Sequence, residues 1–444
     1  MNARQTALQI LCAVYDDGAY ANIALNKYLV RHELKETDRR FITELVYGTI
    51  KAGDTLLWIL QQYSKIPIKK IHPIIRSILR MGIYQLVFMD KIPASAACNE
   101  SVKLAKKYGH PGTVKFVNAI LRAITRNSDK CDFNKVSNDK ISYLALKYWH
   151  PRWLVKLLIN EFGIEQTENF CQFNNTDPPL SFRCNTLKNN PAELLEQLTQ
   201  KGFTCHQSAL CQEGIICTKH PSLVNLMELQ TGQAIIQDVS SMLVAHVLDP
   251  QKDDFIIDMC SAPGGKTTHI ATLLENTGTV LANDIYEHKI KLITDNASRL
   301  NLHNIKTNIA DARLLGNDYK YTADKVLADV PCSGLGVLRR KADARWNKTA
   351  ADIEKLPQLQ YEILESAAKA VKHGGILIYS TCTILKRENT AVIERFLTAH
   401  DDFSIDPIDA FLPQQLRGRG NMLQLLPPYD DTDGFFIARL KRIK

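Results

Sequence analysis

The sequence predicts a multi-domain protein: an all-α bundle at the N-terminus, a small α+β module, and a C-terminal α/β domain with a doubly wound sheet. Three observations predict it. Apolar residues recur at helical spacing through residues 1–127, as in Phe41, Ile42, Leu45, Val46 and Ile50. A short apolar run, Phe255-Ile256-Ile257, ends in Asp258 and runs into a turn of small residues before a helical pattern opens at Lys266. Strand and helix patterns then alternate toward the end of the chain. At 444 residues the length suits two or three domains.

Composition narrows the class. The chain is 45% hydrophobic and 23% charged, an ordinary globular balance. No run is long and apolar enough to span a bilayer. The opening MNARQTALQI has no secretory core, so a soluble, cytoplasmic protein without membrane association is expected. A net charge of +8 is a mild bias toward polyanions. The 11 cysteines form no C-x-x-C pair. Cys205, Cys211 and Cys217 are evenly spaced but lack histidines at finger spacing, so no metal is expected. Disulfides are not expected either, and most thiols read as small buried hydrophobes.

In order along the chain, the helical patterns end near Phe116-Val117-Asn118-Ala119-Ile120-Leu121-Arg122. Basic residues such as Arg39, Arg40, Lys69, Lys70, Lys106 and Lys107 fall on polar faces, either as solvated surface or as phosphate contacts. Residues 128–140 are polar and aperiodic and read as a linker. A helical stretch reaches about Asn174, and a turn at Pro178-Pro179 leads into a strand carrying Arg183, with Asn185 just beyond. Those two polar residues either touch RNA or are ordinary strand-face polars. A helix over 191–200 and strands to about 236 complete the small module. Asp238 or Ser240 caps a helix at 240–248. Strands are expected at 254–258, 279–284, 305–309, 324–330, 375–381 and 434–440. Helices are expected near 267–275, 286–300, 353–372 and 387–399.

The turn Ser261-Ala262-Pro263-Gly264-Gly265 lets backbone approach a ligand closely. It is not a Walker loop, because Cys260 stands where the first glycine is required, and the G-x-G-x-x-G pattern is absent. An acid about twenty positions on, Asp284, ends the next strand and suits a ribose diol. A small loop with no phosphate ligands plus a ribose-binding acid fits S-adenosylmethionine (SAM).

Two further strands end in chemistry. Residues 324–330 carry Asp329, followed by Pro331-Cys332-Ser333-Gly334; 375–381 end in Ser380-Thr381, followed by Cys382-Thr383. Parallel neighbours would bring both thiols to one end of the sheet. Methylation of carbon 5 of cytosine needs such a set. A thiolate adding to carbon 6 makes carbon 5 nucleophilic, an acid near N3 stabilises the ring, and a base releases the product. Lys266 is either a cation that favours the thiolate or a structural lysine.

With Asp258-Met259-Cys260-Ser261-Ala262-Pro263-Gly264-Gly265-Lys266-Thr267, Asp329-Val330-Pro331-Cys332-Ser333, Ser380-Thr381-Cys382-Thr383 and Asp433-Gly434-Phe435-Phe436, the chain resembles the RNA 5-cytosine methyltransferases. It is most similar to the bacterial RsmB (Sun/Fmu) family, over essentially its whole length. The resemblance implies a NusB-like RNA-binding domain at 1–127, a linker at 128–140, a small α+β RNA-binding module at 141–236 and a Rossmann-like SAM-dependent methyltransferase domain at 237–444. It implies Cys382 as nucleophile, Cys332 in product release, and Asp329 against the cytosine and the SAM pocket. Cys260, Ser261, Ala262, Pro263, Gly264, Gly265 and Lys266 would embrace SAM, with Asp284 on its ribose and Asp311 on its adenine. Asp311 also reads as a helix cap. Ser261 and Val330 stand where alanine is commoner in the family. The implied substrate is cytosine 967 of 16S ribosomal RNA, naked or in a small-subunit assembly intermediate, and the implied enzyme is a monomer. Two other readings remain: an RNA-binding assembly factor with an inactive methyltransferase shell, and a DNA methyltransferase.

Overall fold

The computed structural model describes residues 2–31, 34–127, 131–430 and 432–444, so the first three residues of the expected linker lie outside the described residues. Two compact units are present: Met1–Thr176 with Leu338–Ala350, and Asp177–Val337 with Ala351–Lys444.

The first unit is helical: α1 (Ala3–Tyr15), α2 (Ala21–Arg31), α3 (Glu36–Tyr63), α4 (Pro73–Phe88), α5 (Ala94–Tyr108), α6 (Pro111–Arg126), α7 (Lys140–Lys147) and α8 (Arg152–Phe173). Local signals set the helix starts. The Asn2 side chain accepts from Gln5 N, Asp139 accepts from Ile141 N and Ser142 N, and prolines open α4 and α6. The periodic residues Leu8, Leu11, Ile42, Leu45, Ile78 and Leu121 form the core. Residues 141–176, grouped by sequence with the small module, pack within this unit, where Thr55 Oγ1 donates to Leu146 O at 2.7 Å. So does the excursion 338–350. Its buried Arg345 donates to Trp149 O at 2.9 Å, Asn175 Oδ1 at 2.9 Å and Asn174 O at 3.1 Å. Gly53 (φ +28°) kinks α3 where a Cβ would stand 2.5 Å from the Trp346 ring.

The second unit opens with β1 (Leu180–Cys184), α9 (Pro191–Gln200), β2 (Thr204–Gln207), β3 (Gly214–Lys219), α10 (Met227–Gln230) and β4 (Ala234–Ile236). These strands form an antiparallel sheet in the order β2-β3-β1-β4. The absence of disulfides expected from the sequence is corrected here: the β2–β3 ladder sets Cys205 opposite Cys217, and the two are bonded. Asn185 is buried and donates to Gly232 O at 2.9 Å and Leu300 O at 3.0 Å, a structural role. Glu213 accepts from His246 at 2.7 Å and lies 2.8 Å from His269, with Cys211 close by.

The larger sheet follows: α11 (Val239–Leu248), β5 (Phe255–Asp258), α12 (Gly265–Leu273), β6 (Thr279–Asp284), α13 (Glu287–Leu300), β7 (Ile305–Ile309), α14 (Ala312–Leu315), β8 (Ala323–Asp329), α15 (Ala350–Ala370), β9 (Val371–Thr381), α16 (Thr390–Ala399), β10 (Phe403–Ile405), β11 (Met422–Leu425) and β12 (Phe435–Arg442). Its order is β10-β12-β9-β8-β5-β6-β7, with β11 also on β12. β9, β8, β5, β6 and β7 are parallel; β12 runs antiparallel to β9. The chain winds outward from β5 in both directions, so β5 is the switch point at which ligands of such sheets bind. Each expected strand is present within a few residues. The short edge strands β10 and β11 exist through pairing with β12, not through a pattern of their own. Asp238 caps α11 by accepting from Ser240 N at 3.0 Å.

Gly232 (φ +73°) sits so close to α13 that a Cβ would lie 2.0 Å from Arg299 O, whereas Gly374 (φ +74°) faces open space. Gly232→Ala is expected to cost on the order of 3 kcal/mol through backbone strain plus overlap. Gly374→Ala is expected to cost about 1 kcal/mol. Urea unfolding of the two variants, followed on the same transition, measures the difference.

Candidate active site

The site begins at the switch point. After β5, Ser261 Oγ donates to Asp258 O at 2.9 Å, Ser261 N to Asn283 O at 2.8 Å and Gly264 N to Ser261 O at 2.8 Å. The Ala262–Pro263 peptide is cis, and Asn296 Nδ2 holds Pro263 O at 3.0 Å. Gly264 (φ +98°) is in the left-handed region that favours glycine, directly before α12. A Cβ on Gly265 would meet only Gln237, at 3.8 Å, so this backbone stays open to a ligand. The fully buried Arg183 secures the loop from β1, donating to Gln237, to Gly265 O at 2.6 Å and to Thr268 Oγ1 at 2.9 Å. That settles an alternative left open by the sequence: Arg183 is a strut of this loop.

Electrostatics sort the loop's groups. Burial pushes the Asp258 carboxyl up to about 7 despite a 2.7 Å bond from Thr267 Oγ1. Burial, with Asp258 and Asp329 nearby, pushes the Cys260 thiol well above its ordinary value, so it stays neutral. Burial pulls the Lys266 ammonium down, but Asp329, joined by Cys382 and Asp258, more than offsets that and leaves it raised and charged. Lys266 Nζ is 2.6 Å from Asp329 Oδ2, and Ser380 Oγ donates to Asp329 Oδ1 at 2.7 Å.

The two thiols meet. Cys332, after β8, and Cys382, after β9, have their sulfurs 3.3 Å apart. The Cys332 thiol is raised well above the ordinary value, first by its bond to Cys382, then by burial and nearby carboxylates. Asp284 is nearly buried at the end of β6, where its Oδ1 accepts from Tyr286 N at 3.1 Å. Asp311 caps α14 and is held by Arg313 at 2.6 Å, which lowers its carboxyl. Asp311 and Arg313 also line a cleft of about 420 Å³ with Leu314, Glu362 and Lys369; neither Gly264 nor the two thiols line it.

Several residues at the site escaped the sequence reading. Glu388 is fully buried between the thiol loops: its Oε2 accepts from Ser333 N at 2.8 Å and from Gln360 Nε2 at 2.8 Å. Its Oε1 accepts from Thr383 Oγ1 at 3.3 Å. No sequence signal marks such a carboxylate, because its partners are loops 55 residues and 5 residues away. Ile285 and Ile309 stand at the ends of β6 and β7, each about half exposed at 53% and 54%. An exposed apolar residue directly after Asp284 was a readable signal for a flat, apolar ligand. The group implied by the sequence therefore has suitable hosts: an open glycine turn, an acceptor for ribose hydroxyls, and apolar side chains for a base.

Comparison with known proteins places this fold in a class, the Rossmann-like SAM-dependent RNA methyltransferases. Family models match in three segments: the NusB family over residues 1–126, the RsmF/B-like ferredoxin-like domain over 150–223, and the 16S rRNA methyltransferase RsmB/F family over 245–441. A probable ribosomal RNA small subunit methyltransferase B of Bacillus subtilis is 38% identical over 445 residues, covering 99% of both chains. Its counterpart of the same description in Synechocystis is 39% identical over 449 residues, covering 100% of both. The solved structure of PH0851 superposes with a TM-score of 0.86 at 26% identity, over 100% of this chain and 99% of that one. NSun6 from Pyrococcus horikoshii, solved with SFG, superposes with a TM-score of 0.60 at 26% identity, over 66% of this chain and 98% of that one. The chain belongs to the 16S rRNA methyltransferase RsmB/F family. No helix among the described residues is long and apolar enough to cross a membrane.

Because Glu388 ties both thiol loops and has no hydrogen-bond partner in the glycine turn among the described residues, Glu388→Ala is expected to lower the methyl-transfer rate at least about tenfold. SAM affinity should stay within about twofold, read by calorimetry. Glu388→Gln, which keeps an acceptor for Ser333 N, should recover part of the rate.

Proposed function

We propose that this protein methylates carbon 5 of a cytosine in 16S ribosomal RNA, at position 967, through a covalent adduct between Cys382 and carbon 6. The observation that carries the reading is the meeting of two thiols, 3.3 Å apart, at the carboxyl ends of neighbouring parallel strands beside a glycine turn. The family supports ribosomal RNA as substrate. The helical region 1–127 and the small module within 141–236 are assigned to RNA binding. The substrate is 16S RNA, naked or in an assembly intermediate, and the enzyme works as a monomer in the cytoplasm.

The backbone of residues 260–266 would hold SAM, with Asp284 accepting from the ribose, Asp311 at the adenine, and Ile285 and Ile309 against the adenine faces. When bound, SAM supplies an electrophilic methyl group to carbon 5. The remaining work falls to side chains of the chain. Cys382 adds to carbon 6 as a thiolate, and its electron pair makes carbon 5 nucleophilic. Either sulfur can donate across the 3.3 Å contact, and the raised Cys332 thiol favours Cys332 as the donor toward Cys382, where the Lys266 ammonium lies near enough to favour negative charge. Both features support Cys382 as the attacker. Asp329 faces N3 of the ring; it passes a proton from the Lys266 ammonium to N3 as Cys382 adds and takes it back as Cys382 leaves. Once Cys382 is bonded to carbon 6 its charge is gone, and with it the largest reason for Cys332 to keep its proton. Cys332 then passes that proton to solvent water and, as a thiolate, takes the one on carbon 5. Carbon 5 returns its electrons to the ring, and Cys382 leaves as a thiolate.

The test is labelled methyl transfer to RNA and to DNA. Cys382→Ala should lose activity by on the order of a thousandfold or more. Cys332→Ala should accumulate a denaturant-stable protein–RNA adduct. Turnover by Cys382→Ala with no adduct in Cys332→Ala would overturn the roles, and preference for DNA would overturn the substrate. Bisulfite mapping of ribosomal RNA from cells with and without the protein tests position 967.

A further inference from the structure

We infer that the solvent face of the α5–α6 hairpin is the phosphate-binding track of this protein, gripping the backbone of its RNA outside the catalytic unit. The inference rests on the proposed RNA substrate and assigns which basic residues hold it.

Charge is unevenly distributed. Residues 1–127 carry 19 lysines and arginines against 9 acids, a net +10, while residues 128–444 carry 36 against 38, a net −2. The positive charge of the whole chain thus belongs to the helical region. Within it, residues 94–126 hold six basic residues, Lys103, Lys106, Lys107, Lys115, Arg122 and Arg126, and one acid, Glu100. All six are exposed.

Helix geometry gathers them. On α6, Lys115, Arg122 and Arg126 follow i, i+7, i+11 spacing, opposite the buried stripe Val117, Ile120, Leu121 and Ile124. They span about 16 Å along the axis. On α5, Lys103 and Lys107 are one turn apart, with Lys106 beside them, opposite buried Ala97, Ser101 and Leu104. The two helices are joined by only Gly109 and His110 and pack as a hairpin. Only Lys103 is neutralised, by Glu100 at 2.6 Å; the other five have no ion-pair partner among the described residues.

The face fits RNA better than the alternatives. No large apolar side chain of α5 or α6 is exposed among the described residues. A protein partner needs buried anchors at the centre of its interface, and a membrane-surface helix needs an apolar face to insert. Cations without apolar neighbours recognise a regular array of phosphates.

The test uses the full-length protein with a 16S RNA fragment spanning the target. Lys115→Glu/Arg122→Glu/Arg126→Glu is compared with Lys115→Gln/Arg122→Gln/Arg126→Gln and with Lys306→Glu/Lys320→Glu/Lys355→Glu on the other unit. Loss of three phosphate contacts should lower the slope of log affinity against log salt by about 2–3. At low salt both α6 triples should bind RNA at least about tenfold more weakly, with kcat at saturating RNA held within about twofold. The control triple should bind within about twofold of wild type. Wild-type affinity and salt slope in the glutamine triple would overturn the inference, as would loss of binding to phosphatidylserine vesicles with RNA binding kept. If wild-type protein binds RNA through the stripe yet methylates no RNA, the proposed reaction falls and the track stands. If it methylates RNA and the stripe variants bind normally, only the track falls.

Discussion

The contact on which the site depends is the one between Lys266 and Asp329. Their 2.6 Å approach joins the first turn of α12 to the end of β8, and Ser380 Oγ extends it to the end of β9 at 2.7 Å. Three loops of the carboxyl rim are therefore tied to one carboxylate. Two partly buried charges gain when their remaining lone pairs are met, and the serine meets the second oxygen. Loss of one partner would leave a charge uncompensated, a cost of up to about 3–5 kcal/mol for a fully buried pair and less here, where Asp329 keeps a quarter of its side chain exposed. The ammonium, held charged by Asp329, sits within electrostatic reach of Cys382.

A second carboxylate performs the same task one layer down. Glu388 accepts from Ser333 N, Gln360 Nε2 and Thr383 Oγ1, and so fixes the residues that follow each thiol. Asn389 adds bonds to Thr381 Oγ1 at 2.6 Å and Thr383 O at 3.1 Å. Thiols on separate loops do not stay within 3.3 Å by chance, because each loop alone has many conformations to choose from. Arg183 does for the glycine turn what Glu388 does for the thiol loops, binding its carbonyl from a different sheet.

Much of this was legible in the sequence. Phe255 to Lys266 announced strand, turn and helix through apolar content, small residues and glycine, and each of these acts over a few residues. The alternation of strands and helices placed Cys332 and Cys382 at strand ends, and parallel pairing of β8 with β9 followed from the order of elements. What escaped depends on residues distant in sequence. Glu388 reads as one more charge in Lys386-Arg387-Glu388, and only burial between two loops gives it meaning. Arg183 gave no hint of its partners 54, 82 and 85 positions on. The cross-strand pair Cys205–Cys217 needed the β2–β3 register. Likewise Arg339-Arg340 and Arg345-Trp346 match the family's pattern, but nothing local in 338–350 says that Arg345 and Trp346 lie within the helical unit.

The central claim is that one particular sulfur of the pair bonds to the pyrimidine. RNA carrying 5-fluorocytosine at the target position addresses it directly, since fluorine on carbon 5 cannot leave as a proton does and the adduct is stalled. After reaction with wild-type protein and SAM, a methylated fluorocytidine is expected on the peptide containing Cys382, identified by mass spectrometry after protease and nuclease digestion. Recovery of the nucleotide on the peptide containing Cys332 would contradict it.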